Sequence, residues 1–370
     1  MRVLSITPAF APQMGGIEQV VQELALRLQA FGHQVDIAHI HPGHAQRSTD
    51  MVAGLTVHRL PLKGHRLAGW AVGLGELARG YDLLHVHDPQ LMAITANVRM
   101  ACPQVPAVLS THGGFRHTQQ MALFKSVFER VALRRMLSHY RLVLASSVAD
   151  EAYFRAFSDR VRLCSNGVNT DKFGVVPQDV DRPLSRWIYW GRLSRNKRVD
   201  QLIDTVALAR SQGHPVDLLI CGRDFDGIAD ALKAQVSALK LQDVIHFESF
   251  LSDDDLLREL HQRGVYATAS EHEGFGLSIV EAMAAGLQIL CRDMTPLNTF
   301  VQAGVTGQFL AFEGGQADVV ADTRALQALM QQDGAARAVG RQQARATADI
   351  YNWDGAARRF EACFAEVLGR

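Results

Sequence analysis

The chain has 370 residues, more than twice the usual size of one domain, so two domains are expected. Its 48% hydrophobic and 21% charged residues are an ordinary globular balance. Lys plus Arg and Asp plus Glu each number 38, and a formal charge of zero argues against a dedicated nucleic-acid binder, which needs a basic excess.

The zero hides an asymmetry. Residues 1–170 hold 17 basic and 11 acidic side chains, a net +6 that the rest of the chain balances with −6. Five scattered cysteines without a Cys-x-x-Cys pair argue against a disulfide framework or a structural zinc, and for a reducing compartment. Met1–Thr7 runs into Pro8 without the apolar region and cleavage site of a signal peptide. No window reaches the roughly eighteen apolar residues of a spanning helix. A cytoplasmic chain is expected.

Short apolar runs at Val3–Thr7, Val35–Ile40, Leu83–Val86, Ala107–Ser110 and Leu142–Ala145 read as buried parallel strands. Between them lie amphipathic stretches such as Ile17–Ala30, with Val20, Val21, Leu24 and Leu28 on one face. A polar, proline-bearing stretch near Asn169–Arg186 interrupts the alternation. It restarts with Trp187–Trp190, Val216–Cys221, Val244–Phe247, Val265–Thr268 and Gln288–Cys291. The reading is α/β: two Rossmann-like, doubly wound parallel-sheet domains facing across a cleft. Residues 1–168 form the first and 169–353 the second, with a helix at about 354–370 packing back on the first. Ligand chemistry then belongs to the loops beyond the strand ends.

Gly15-Gly16 opens the first helix, where backbone amides can approach a phosphate. A ligand-free glycine turn is the plain alternative. Gly73-Leu74-Gly75-Glu76-Leu77-Ala78 matches a dinucleotide expression but has no clear strand before it, so it reads as chance. His112, with Gly113-Gly114-Phe115 after it, ends a strand and reads as an active-site histidine rather than a solvated one. Phe115–Arg141 carries Arg116, Lys125, Arg130, Arg134, Arg135 and Arg141 against the single Glu129. That pattern suits either the charged face of a core helix or docking on an anionic bilayer.

In the second half, Arg192 and Lys197 sit in Gly191-Arg192-Leu193-Ser194-Arg195-Asn196-Lys197, two cations spaced to suit a diphosphate. Asp224-Phe225-Asp226 looks like a metal-binding pair, but two cations already serve the diphosphate, so no metal is expected. Ser252-Asp253-Asp254-Asp255 reads as a helix N-cap with acidic residues in the first turn. In Glu273-Gly274-Phe275-Gly276-Leu277, glycines break the chain just before a helix whose first amides face an anion. Glu281, a turn inside that helix, suits ribose hydroxyls, and Glu273 suits a sugar. A hydrolytic carboxylate pair is disfavoured by the phosphate nest between the two.

Together these motifs resemble the retaining family-4 glycosyltransferases of GT-B fold. The resemblance rests on Glu273 and Glu281 with seven residues between them, Gly15-Gly16, His112, Arg192 with Lys197, Asn166-Gly167-Val168-Asn169 and Tyr351-x-Trp353. It spans essentially the whole chain. His117-Thr118, Gly191-Arg192 with Asn196-Lys197, Gly222-Arg223 and His272 add similarity to one subgroup, the α-mannosyltransferases that extend lipid-linked cellobiose from GDP-mannose in xanthan- and acetan-type exopolysaccharide assembly.

The resemblance implies a nucleotide-sugar donor, a polyprenyl-diphosphate oligosaccharide acceptor, no cofactor, and a peripheral place on the inner face of the cytoplasmic membrane. It implies that Arg192 and Lys197 stabilise the departing diphosphate with amides at Gly15, Gly16 and Gly274–Leu277. Glu281 would hold the ribose, Glu273 and His112 the donor sugar, and Glu18 the acceptor side, where a helix-start carboxylate is the alternative. Arg130, Arg134 and Arg135 would face the membrane. A UDP-sugar-dependent relative, a GT-B nucleotide-sugar epimerase and a non-catalytic nucleotide-binding subunit stay open as alternatives.

Overall fold

The computed structural model describes residues 1–8, 10–11, 15–65, 69–87, 92–113, 132–177 and 180–370. The chain divides into two units, Met1–Gly167 with Trp353–Arg370, and Val168–Asn352.

The first unit holds β1 (Arg2–Thr7), β2 (Gln34–His41), β3 (Ser48–Val52), β4 (Leu55–Lys63), β5 (Trp70–Ala71), β6 (Leu83–Val86), β7 (Ala107–Ser110), β8 (Leu142–Ala145) and β9 (Val161–Leu163). Their order is β3-β4-β2-β1-β6-β7-β8-β9, with β5 paired to β4. All pairs are parallel except β3 and β5 on β4. The five expected strands form the middle of this sheet, and β6, β7 and β8 are buried along their whole length. Burial on both faces is why they read as unbroken apolar runs. The helix Gly16–Ala30 buries Val20, Val21, Leu24, Ala25 and Leu28.

Gly73 opens only a five-residue helix, Leu74–Ala78, after the antiparallel β5. It therefore lacks the parallel strand–turn–helix frame of a dinucleotide fingerprint. The C-terminal helix Trp353–Val367 belongs to this unit. Ion pairs of Arg27 with Asp354 at 3.2 Å and Arg162 with Glu366 at 2.5 Å fix it. A 2.7 Å contact joins His33 to Glu361.

The second unit is a parallel sheet of β10 (Arg186–Trp190), β11 (Asp217–Cys221), β12 (Ile245–Glu248), β13 (Val265–Ala267), β14 (Gln288–Cys291) and β15 (Gly307–Phe309), in the order β12-β11-β10-β13-β14-β15. Trp187, Tyr189 and Tyr266 are among its fully buried side chains. Among the described residues, no helix is long and apolar enough to cross a membrane.

The two motifs flanking the unit boundary touch. The Val168 amide donates to the Tyr351 carbonyl at 2.7 Å. A Cβ on Gly167 would lie 2.4 Å from the Trp353 ring. Only glycine allows that approach, because the clashing atoms belong to a buried indole without room to move. Gly167→Ala is therefore expected to destabilise the protein by about 1–3 kcal/mol. Gly314→Ala, with open space at its Cβ, should stay within about 0.5 kcal/mol. Thermal unfolding of the two variants side by side checks this, and equal midpoints would refute it.

Candidate active site

In the second unit the strand order reverses between β10 and β13, neighbours in the sheet whose chains leave toward opposite sides. The loops following these two strands therefore meet at their C-terminal ends, the ordinary ligand position of an open α/β sheet. Those loops are Gly191–Arg198 and Thr268–Gly276. The Glu271 amide donates to the Asn196 carbonyl at 2.9 Å, and the Asn196 side chain donates to the His272 carbonyl at 3.4 Å.

This junction brings Lys197 Nζ to 2.5 Å from Glu273 Oε1, with side chains only 16% and 12% exposed. The next cation, Arg198, has φ +46° and pairs with Asp200 and Glu271. Arg192 is exposed, with its guanidinium 4.7 Å from the centre of the Phe225 ring. Its carbonyl accepts a 2.9 Å bond from the Tyr189 hydroxyl, whose pKa burial raises well above its ordinary value.

Gly276 (φ +94°) caps the helix Leu277–Ala284 without any side-chain cap. A Cβ there would be strained and would meet Leu297 at 3.0 Å. The opening amides of a helix have no partner within it, so an anion can take them. Gly274 lies on the same loop, whereas the Phe275 ring is buried against Phe300 and Tyr351 at 5.3 and 5.5 Å. Phe275 thus anchors the loop from the core. Glu281 is 9% exposed, and its Oε2 accepts a 3.2 Å bond from Trp190 Nε1 at the end of β10. Trp190 was missed in the sequence, and Asn196 was named only as part of its motif, since their partners lie 91 and 76 residues away.

Asp224 and Asp226 are spent on backbone, whereas in the second acidic run Asp253 pairs with Lys172 and Asp255 with Arg258. Asp224 accepts from the Ile228 and Ala229 amides at 2.9 and 3.0 Å, which lower its pKa, and Asp226 accepts from the Arg195 amide at 2.8 Å. Ser252 caps the helix Asp253–Gln262 through the Asp255 amide.

In the first unit the reversal falls between β1 and β6. Gly15 is the N-cap of Gly16–Ala30, and the Glu18 carboxylate folds back over it, 2.8 Å from where a Cβ would stand. His112 follows β7. Its neighbours are clamped by buried Asp150, which accepts from Thr111 Oγ1 at 2.5 Å, the Gly113 amide at 3.1 Å and Ser146 Oγ at 2.8 Å.

Two histidines that sequence reading passed over stand behind His112. His87 Nδ1 lies 3.0 Å from His112 Nε2, His87 Nε2 lies 3.1 Å from His85 Nδ1, and His85 Nε2 lies 2.7 Å from Ser110 Oγ. Burial pushes the pKa of His112 down to about 4 and of His85 to about 3, and holds His87 well below its ordinary value. His85-Val86-His87 at a strand end was the available signal. Arg134 and Arg135 lie exposed on a short helix, Arg134–Leu137, whose Leu133 and Leu137 neighbours are buried. Arg134 also donates to the Ala156 carbonyl at 3.0 Å. Gly114, Phe115 and Arg130 lie outside the described residues.

Two family models each match one part of the chain. Residues 14–172 match the model of Glycosyltransferase Family 4, and residues 181–345 match that of Glycosyl transferases group 1. A GDP-mannose:cellobiosyl-diphosphopolyprenol alpha-mannosyltransferase of Komagataeibacter xylinus is 29% identical over 100% of this chain and 94% of its own length. A phosphatidyl-myo-inositol mannosyltransferase of Mycobacterium tuberculosis is 25% identical over 90% and 88%. Among solved structures, HepE of Anabaena with UDP and glucose shares the fold at a TM-score of 0.77 and 18% identity, covering 99% of this chain and 100% of that one. Sucrose-phosphate synthase of Thermosynechococcus elongatus does so at 0.75 and 19%, covering 100% of each. The chain belongs to the GT-B glycosyltransferases, a family 4 domain followed by a group 1 domain.

Proposed function

We propose that the protein is a retaining α-mannosyltransferase that moves mannose from GDP-mannose to a polyprenyl-diphosphate oligosaccharide during exopolysaccharide assembly. The observation that carries the reading is the Lys197–Glu273 contact beside the uncapped start of Leu277–Ala284. It gathers a cation, a carboxylate and a set of amides on one sheet edge. The names of the Komagataeibacter and Mycobacterium relatives supply the donor sugar and the lipid-bound character of the acceptor.

When a nucleoside diphosphate binds, its oxygens take over Lys197 and the Gly276–Leu277 amides, and Glu273 is released to the sugar hydroxyls. Glu281, oriented by Trp190, accepts from the ribose. The acceptor hydroxyl attacks the anomeric carbon on the face that the diphosphate leaves, so configuration is retained. The bond to the diphosphate oxygen breaks, and the acceptor proton passes to that departing oxygen. Arg192 and Lys197 offset the charge that develops there. His112 contacts the donor sugar.

Three outcomes test this. GDP-mannose should raise the melting temperature more than any UDP-sugar and support transfer to a lipid-linked acceptor. A clear UDP-sugar preference would sink the mannose assignment and leave the family intact. Lys197→Ala should lower turnover roughly 10²-fold or more, as loss of a charge-stabilising group does. Unchanged turnover refutes its role.

The acceptor stays in a bilayer, and the basic segment Arg116–Arg141 provides cations for an anionic surface, each worth about 1 kcal/mol. Cosedimentation with anionic vesicles should be salt-sensitive and weakened in Arg130→Gln/Arg134→Gln/Arg135→Gln at unchanged melting temperature. Equal binding of both proteins, or none at low salt, would assign these arginines to a merely solvated face.

A further inference from the structure

We propose that Ser110, His85 and His87 form a hydrogen-bonded relay that holds His112 in its Nδ1-protonated neutral tautomer, so that the ring offers an N–H donor to substrate. The inference rests on the reading that His112 touches the donor sugar, and it makes His87 a positioning residue.

Each junction of the relay joins two ring nitrogens or a nitrogen and a hydroxyl at 2.7–3.1 Å. A hydrogen bond at each needs one atom of the pair to carry the proton and the other not; the His87–His112 link is nearly in-plane, and the His85–His87 link is bent, its rings tilted 52° with centres 3.9 Å apart. A neutral imidazole has one N–H, so choosing the donor at one junction fixes it at all the others. Only two states exist, with every proton pointing toward His112 or every proton pointing away.

Ser110 decides between them. It is 3% exposed, and His85 is its side chain's partner among the described residues. If Ser110 donates to His85 Nε2, its O–H is satisfied. If it accepts instead, a buried O–H is left over, at a cost of about 1–3 kcal/mol. Ser110 therefore donates, His85 Nδ1–H donates to His87 Nε2, and His87 Nδ1–H donates to His112 Nε2. His112 keeps its proton on Nδ1.

The last link is well formed, since the His87 and His112 rings are 20° from coplanar with centres 5.3 Å apart. That is the edge-to-edge geometry of an in-plane N–H···N bond. His85 and His87 are 1% and 0% exposed, while His112 is partly exposed. The dry end of the relay thus sets the proton of its wet end. A hydroxyl, rather than a carboxylate, terminates the relay, so nothing at its root favours an imidazolium. This is the opposite of an Asp–His pair, where the carboxylate stabilises the charged ring.

The test uses full-length protein with 15N-labelled histidine and long-range 1H–15N correlation at neutral pH. His112, assigned through the signals lost in His112→Ala, is expected in the Nδ1–H form. In His87→Phe it should revert to the Nε2–H form that free imidazole side chains favour. His87→Asn, whose amide N–H stands where Nδ1 stood, should restore the Nδ1–H form. Turnover should follow the tautomer, with kcat down roughly 10–100-fold in His87→Phe, little change in donor KM, and partial recovery in His87→Asn.

In the His112→Ala background, His87→Phe should cause no further loss, because the two act as one unit. An Nε2–H His112 in the wild type, or additive losses in the double variant, overturns the relay. Normal turnover of His112→Ala would instead overturn the contact of His112 with sugar, and the tautomer measurement would still decide the relay.

Discussion

Lys197 and Glu273 face each other at 2.5 Å with little exposure, and the geometry at this edge of the second sheet turns on that contact. Two charges withdrawn from water this far are costly unless each stays paired, so removing one partner strands the other. The pair exists because strand order reverses between β10 and β13, which opens a gap at the carboxyl edge of the sheet. Around it, Asn196 joins the two loops and Gly276 turns the chain into a helix. In the proposed reaction this pair is also a placeholder. A diphosphate outbids a single carboxylate for the lysine, and the displaced carboxylate is already beside the sugar.

Apart from the edge strand β12, the legible strands share one physical trait. Central strands buried on both faces are apolar without alternation, which marks them in any window. Strands that went unnoticed lack it. All of β3 is exposed or half-exposed, β4 mixes buried with half-exposed positions around Pro61, β5 has two residues, and β9 exposes two of its three. Each lies toward an edge of the first sheet or pairs with such a strand. β15 is likewise a three-residue edge strand.

The site divides along a similar line. Glycines that must adopt φ > 0 and charges at loop-to-helix turns, such as Gly276, Lys197 and Glu273, announce themselves locally. Trp190 on Glu281, Asp150 on the His112 loop and the imidazoles behind His112 act across 25–91 residues of chain. No local pattern encodes such a pairing, which arises only when the sheet assembles. The glycine and aromatic motifs at the unit boundary are a middle case. Gly167 and Tyr351-x-Trp353 are each visible alone, but their mutual fit is a fact of packing.

The same packing explains why the histidine relay stays neutral. His85 sits against Phe360 and Phe364 of the C-terminal helix, with ring centres 5.7 and 5.0 Å away. That helix is held down by Asp354, Glu361 and Glu366 on Arg27, His33 and Arg162, and by Arg358 over the Phe31 ring at 4.5 Å. Charged groups at the rim thus keep an aromatic lid on the root of the relay, and a dry root penalises any imidazolium within it. A histidine that must donate one hydrogen bond in one direction needs both conditions, a neighbour to fix its proton and a lid to keep a second proton out. The final helix of the chain, remote in sequence from His112, supplies the second.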